Sequence, residues 1–243
     1  MIHRRVSAVF LLRDGFSGRA LSSGAQVRCT LDGAPARPVW KNGGYLVFTD
    51  LSPGKHELAV GQTCYQPDRR VFTVQEDGIW EDTLELKPGD GYPLPAQAAV
   101  LELTVTEGRA PSAQPVWLGM SGPVALKLAR ASGEDAALRL FCRNAALLPV
   151  PGYFLIPEQA GGELVHIRAI REETGELDQP LLRGHPRGTE LIPMQRYTPD
   201  GTGRLRALFP RAGTVWVYCQ GAARNLELAP GGQALNWDWK EGI

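Results

Sequence analysis

Lysine is scarce in this chain: only Lys41, Lys55, Lys87, Lys127 and Lys240 occur among its 26 basic residues, the rest being Arg. The basic residues are matched by 26 acidic ones, so the net charge is zero. A balanced surface has no long-range field to recruit nucleic acid or an anionic membrane, and neither is expected as a partner. No apolar run approaches the roughly 20 residues a membrane-spanning helix needs. Cysteine is sparse as well. Cys29, Cys64, Cys142 and Cys219 lie far apart, with no C-x-x-C pair and no histidine at zinc-finger spacing, so no metal framework is expected. Cys29 alternates in step with Val27 and Leu31, and Cys219 with Val215 and Val217, as small buried hydrophobes of strands. A Cys29–Cys64 disulfide is the one pairing left open.

The motifs of catalysis are missing too. No P-loop, dinucleotide fingerprint or H-E-x-x-H is present, and the nearest approach to a nucleophile elbow, "LGMSGPV", does not complete the G-x-S-x-G spacing, leaving Ser121 as a turn residue. Of the four histidines, His3 lies in the N-terminal tail, His56 and His166 fall on strand patterns, and His185 sits in the loop-like "RGHPRG". A metal held by His166 and His185 would need a third ligand that the pattern does not identify, so no metal or cofactor is expected. The carboxylates of "REETGELD" (Glu172, Glu173, Glu176, Asp178) read as a solvated turn.

What is abundant is turn chemistry. The 28 glycines and 19 prolines are spread along the chain, as in all-β proteins that punctuate many short strands. "VSAVFLL" at the start is short for the apolar core of a signal peptide, and "RDGFSGR" follows where small residues should flank a cleavage site. The stretch reads better as a strand with Val6, Ala8, Phe10 and Leu12 on one face. Synthesis in the cytoplasm without a signal peptide is therefore expected. "QVRCTL" is a second strand, and "NGGYLVFTDLSPGKHELAV" reads as a hairpin, with Pro53 and Gly54 turning the chain so that the two strands lie as neighbours. "RVFTV" and "DTLEL" complete a small sandwich by Leu86.

Gly24, Ala25 and Val27, then Gly44, Tyr45, Phe48, Leu51, Pro53, Gly54, Leu58 and Val60, give a pattern over residues 5 to 87 that resembles the carboxypeptidase regulatory-like domain, a prealbumin-like or Cna-B-type β-sandwich. The resemblance implies an immunoglobulin-like fold and a stalk, carrier or accessory role. It places His56 where the family carries Tyr, as a packed ring with a polar edge. Some Cna-B-type domains form a Lys–Asn crosslink, but the first strand here has no lysine, and no such bond is expected.

"KPGDGYPLPAQ" marks a boundary, giving a sandwich over 1–90, a Pro/Gly linker over 91–98 and a β region over 99–243. Within that region 99–160 is an unassigned β segment. Over 163–243 the first grammar returns: "LVHIRAIREETGELDQPL" has the shape of a first strand and turn. Gly203, Leu205, Gly213, Val215 and Val217 stand where the first copy has Gly44, Leu46, Gly54, His56 and Leu58. A second, diverged sandwich is expected there. In "GTVWVYC" the inward Val215, Val217 and Cys219 leave Trp216 and Tyr218 on the other face, while Leu235, Trp237 and Trp239 share a face in "ALNWDWK". Trp216, Tyr218, Trp237 and Trp239 are the candidate binding or interface residues, covered by the middle segment, by a partner protein or by a stacked sugar.

The expectation is an all-β protein of tandem immunoglobulin-like or prealbumin-like sandwiches. It is non-enzymatic, and structural or protein-binding within a multi-subunit assembly such as a phage-tail-like particle. Other proteins or further copies of the chain are its partners. The alternatives are a carbohydrate-binding accessory module using those rings, and a hydrolase that would need a pocket where a histidine meets an acid.

Overall fold

The computed structural model describes residues 5–22, 26–122, 126–133, 136–142, 148–158 and 161–240, and every regular element among them is a β-strand. Gly24, Ala25 and His3 of the sequence reading lie outside the described residues. The chain divides into two compact units, Met1–Pro95 and Ala96–Ile243.

The first unit is a sandwich of two four-stranded sheets. One has the order β4 (Val39–Lys41), β5 (Tyr45–Thr49), β1 (Val6–Asp14), β8 (Trp80–Leu86). The other runs β3 (Ala34–Ala36), β2 (Arg28–Leu31), β6 (Gly54–Gln62), β7 (Tyr65–Val74). The opening stretch is thus the inner strand β1, with Ala8, Phe10 and Leu12 fully buried. Phe10 meets Phe72 of the facing sheet edge-on at 5.1 Å between ring centroids. The segment read as a linker is fastened to this unit as far as Tyr92, whose hydroxyl donates to Asp14 and whose ring packs on Phe16 and Tyr65.

The expected hairpin at Pro53-Gly54 is an arch instead. β5 pairs with β1 and β4, and β6 pairs with β2 and β7, so the chain crosses from one sheet to the other between them. The reason is burial: Leu46 and Phe48 of β5 and Leu58 and Val60 of β6 all point into the same core, which facing strands satisfy. Gly54, at φ +135°, takes a conformation that side chains rarely adopt.

The second unit repeats this frame and interrupts it. β9 (Ala99–Glu107) pairs antiparallel with β18 (Arg204–Phe209) and parallel with β21 (Gly231–Asp238), as β1 pairs with β5 and β8. β10 (Ala110–Pro111) returns along the end of β9. Facing them, β11 (Val116–Met120), β19 (Gly213–Cys219) and β20 (Ala222–Leu228) pair in that order, as β2, β6 and β7 do. The first strand of the second copy is therefore "AVLELTVTE", and a sandwich confined to 163–243 is not what forms.

"LVHIRAIREETGELDQPL" belongs to the interruption. Between β11 and β18 the chain makes β12 (Leu126–Leu128), β13 (Ala137–Cys142), β14 (Gly152–Glu158), β15 (Gly161–Arg171), β16 (Thr174–Leu177) and β17 (Glu190–Tyr197). The pairings β12–β13–β16–β15–β14–β17 return to β12, closing a six-stranded barrel. Alternation sends Leu126, Leu140, Phe154, Ile156, Ile167 and Leu191 into its core, which closure requires to be filled by side chains.

Candidate functional site

Trp216 and Tyr218 do project from the face of β19 opposite Val215, Val217 and Cys219. That face is covered within the chain: Leu155, Ile192 and Met194 from the outer wall of the barrel pack there with Trp117, Leu164 and Ala223. Gly161 and Gly162 at the start of β15 allow the approach. A Cβ on Gly161 would stand 2.9 Å from the Gly221 carbonyl, and one on Gly162 would stand 3.4 Å from Ala223 Cβ. Trp237 is in the sandwich core at 5% exposure and Trp239 packs against that core, so Trp237 offers no ring face to a sugar or partner. The four rings do not form one surface, because β21 turns Leu235 and Trp237 toward the sandwich core beside Leu103 and Val105 of β9.

The thiols are unpaired, Cys29 and Cys64 included. Burial pushes the Cys29 and Cys219 thiols up to about 11, which keeps them protonated and suits small core residues. His56 has the packed ring and polar edge expected of it: the ring lies against Phe72, with Nε2 2.8 Å from the Ser52 carbonyl and Nδ1 2.7 Å from Asp32. His166 pairs with Asp178, not with His185.

His185 stands in a different setting, which the sequence reading missed. A cleft of about 860 Å³ is lined by Glu158 at the end of β14, His185 in the loop before β17, Thr189, Trp216, and Arg224 and Asn225 of β20. Behind the His185 ring lies Glu163, which points inward on β15 in phase with Val165 and Ile167 and is only 8% exposed. A carboxylate in that place is costly unless satisfied. One of its oxygens accepts the Leu182 N–H at 2.6 Å and the other lies 2.9 Å from His185 Nε2. On the other side of the ring, His185 Nδ1 is 3.8 Å from Glu158 Oε1, whose second oxygen accepts from Arg183 Nη1 at 2.7 Å. A histidine and an acid do meet at a cleft here, and a ring, donors and acceptors surround them. The signal was the alternation of β15, where Glu163 interrupts an inward row of apolar residues.

No family model and no curated protein sequence matches the chain. Among solved structures, it is similar to the Bacillus anthracis TIE protein, at 10% identity and a TM-score of 0.30 over 96% of this chain and 33% of that one. It is also similar to a streptococcal ancillary pilin, at 9% identity and a TM-score of 0.29 over 97% of this chain and 62% of that one. A third is BcpA, the major pilin subunit of Bacillus cereus, at 7% identity and a TM-score of 0.29 over 97% of this chain and 99% of that one. The chain thus spans a third of the length of the first and under two thirds of the second. At such identities and TM-scores none of these likenesses bears on what the chain does.

Proposed function

We propose that this chain is a non-enzymatic structural β-sandwich protein that binds further copies of itself as a component of a multi-subunit assembly. The first module is taken as carboxypeptidase regulatory-like on its sequence pattern, and synthesis in the cytoplasm belongs to the same proposal. The reading rests on the outer face of the β4-β5-β1-β8 sheet. Val39, Val47 and Val9 lie side by side across three strands, and Tyr45 and Leu11 are neighbours in the adjacent row. Val39 and Tyr45 are 40% and 41% exposed. Contiguous apolar surface of this kind marks a protein contact more often than an idle face. Its borders differ in charge: Lys41 lies on the β4 edge, while Glu81 and Glu85 point outward on the β8 edge, Glu85 beside Arg13. A two-fold axis along the strands would set each copy's Lys41 over the other's glutamates, so the face complements itself.

Size-exclusion chromatography with light scattering tests this. The natural chain is expected to self-associate and Val47→Lys to be monomeric. Lys41→Glu should weaken association, and adding Glu81→Lys and Glu85→Lys should restore it. A natural chain that stays monomeric at high concentration, or association untouched by Val47→Lys, overturns the reading. Sugar binding is the second reading, favoured by one observation: Trp216 lines a cleft with Glu158, Thr189, Arg224 and Asn225. A glycan array on which the natural chain binds and Trp216→Ala does not would support it, and an array without binding would remove it.

A further inference from the structure

Glu163, His185 and Glu158 are arranged as a carboxylate, an imidazole and a second carboxylate. Glu163 Oε2 lies 2.9 Å from His185 Nε2, and with the ring proton on Nε2 the carboxylate accepts it. In that tautomer the lone pair of the ring is on Nδ1. No described residue is hydrogen-bonded to that atom, which faces Glu158 Oε1 at 3.8 Å. Two acceptors facing each other repel unless something positive lies between them. A carboxylate behind the distal nitrogen of an imidazole is the arrangement that fixes the tautomer and orients the ring of a metal-binding histidine.

We propose that His185 Nδ1 and Glu158 Oε1 bind a first-row divalent cation such as zinc, with Glu163 as the positioning residue behind the ring. A separation of 3.8 Å suits two ligands of one ion, whose bonds to imidazole nitrogen and carboxylate oxygen are each about 2.0–2.2 Å. A mixed nitrogen and oxygen pair suits zinc better than calcium or magnesium, which take oxygen ligands. Arg183 occupies the other Glu158 oxygen, leaving Oε1 for the ion. Arg224 also lines the cleft, so the local charge is close to balanced before the ion arrives, and binding is exchangeable rather than permanent. The remaining coordination positions face the cleft, beside Thr189 and Asn225, where water or a ligand group would complete them. This site is independent of the self-association proposed above.

Isothermal titration of the chelator-treated full chain with zinc chloride tests it. One ion should bind per chain and raise the thermal midpoint. Glu158→Gln, at a residue on the rim of the cleft, should weaken binding at least tenfold, and Glu163→Gln about 10- to 100-fold. Because His185 is buried, His185→Ala can fail by misfolding; ¹⁵N chemical shifts of the His185 ring in the natural chain supply the second readout, with zinc moving Nδ1 while Nε2 keeps its proton. No binding at millimolar zinc overturns the proposal. Binding that Glu158→Gln leaves unchanged would place the ion elsewhere, for instance at His166 and Asp178, and overturns it equally.

Discussion

His56 lies between two acceptors, the Ser52 carbonyl at 2.8 Å and the Asp32 carboxylate at 2.7 Å, so both ring nitrogens donate when the ring is protonated. These hydrogen bonds, the Ser52 carbonyl first and Asp32 second, hold the ring above its ordinary value of 6.5. Asp32 in turn is held below 3.8, by the Glu57 backbone N–H first and by His56. A raised histidine stabilises fully below its unfolded value and stops doing so as pH rises through the folded one; a lowered carboxylate stabilises above its unfolded value. The clasp is therefore complete from about pH 4 to 6.5, in the range between the two ordinary values. His56→Gln should lower the thermal midpoint most near pH 5–6, with a smaller loss above pH 8. A loss that does not vary with pH would show that the ring acts only through its packing on Phe72.

The two copies use Gly44 and Gly203 in the same way. Gly44 sits at φ +85° with its carbonyl bonded to Leu12 N–H, and an added Cβ would lie 2.9 Å from the Leu12 carbonyl. Gly203 sits at φ +77°, bonded in the same way to Val105 N–H, with a Cβ only 2.5 Å from the Val105 carbonyl. Either glycine changed to Ala should cost about 1–3 kcal/mol from the backbone conformation alone, and more from the clash. Chemical denaturation of the two variants measures it, Gly203→Ala being the worse.

At the scale of elements, strands were legible and partners were not. Alternation located β1, β5, β6, β18 and β19 because each buries every second side chain, and the ten-residue step from Gly44 to Gly54 recurs from Gly203 to Gly213. A turn, however, looks the same whether the next strand lies beside its predecessor or across the core, so the arch passed for a hairpin. The second copy's first strand was misplaced because the barrel separates β11 from β18, and β15 with its apolar phase offers a nearer imitation of β1. The candidate site was the least legible. Glu158, Glu163 and His185 meet only when β14, β15 and the loop before β17 close the barrel. That closure has a weak place: β12 joins β17 through only two residue pairs, Leu126 with Leu191 and Lys127 with Glu190, whereas β14 and β15 share seven. Hydrogen exchange should open the Gly188 and Leu128 amides of that seam before those of β14 and β15. The reverse order would mean that the ring does not open there.

For the whole molecule, the cores decide what can be separated. Among the described residues, the core of the first unit is built from residues up to Leu86 and the three clusters of the second begin at Ala99, so each unit has its own core. Residues 1–95 and 96–243 should each fold alone, since a unit with its own closed core loses little when its neighbour is removed. The backbone amide spectrum of each fragment should overlay its half of the full-chain spectrum. The fragments also separate the two proposals: the first keeps the apolar face of the β4-β5-β1-β8 sheet and should self-associate without binding zinc, and the second keeps Glu158, Glu163 and His185 and should bind zinc as a monomer. An unfolded 1–95 fragment would mean that its core is not sufficient. A folded but monomeric one, beside a full chain that associates, would move the contact to the second unit.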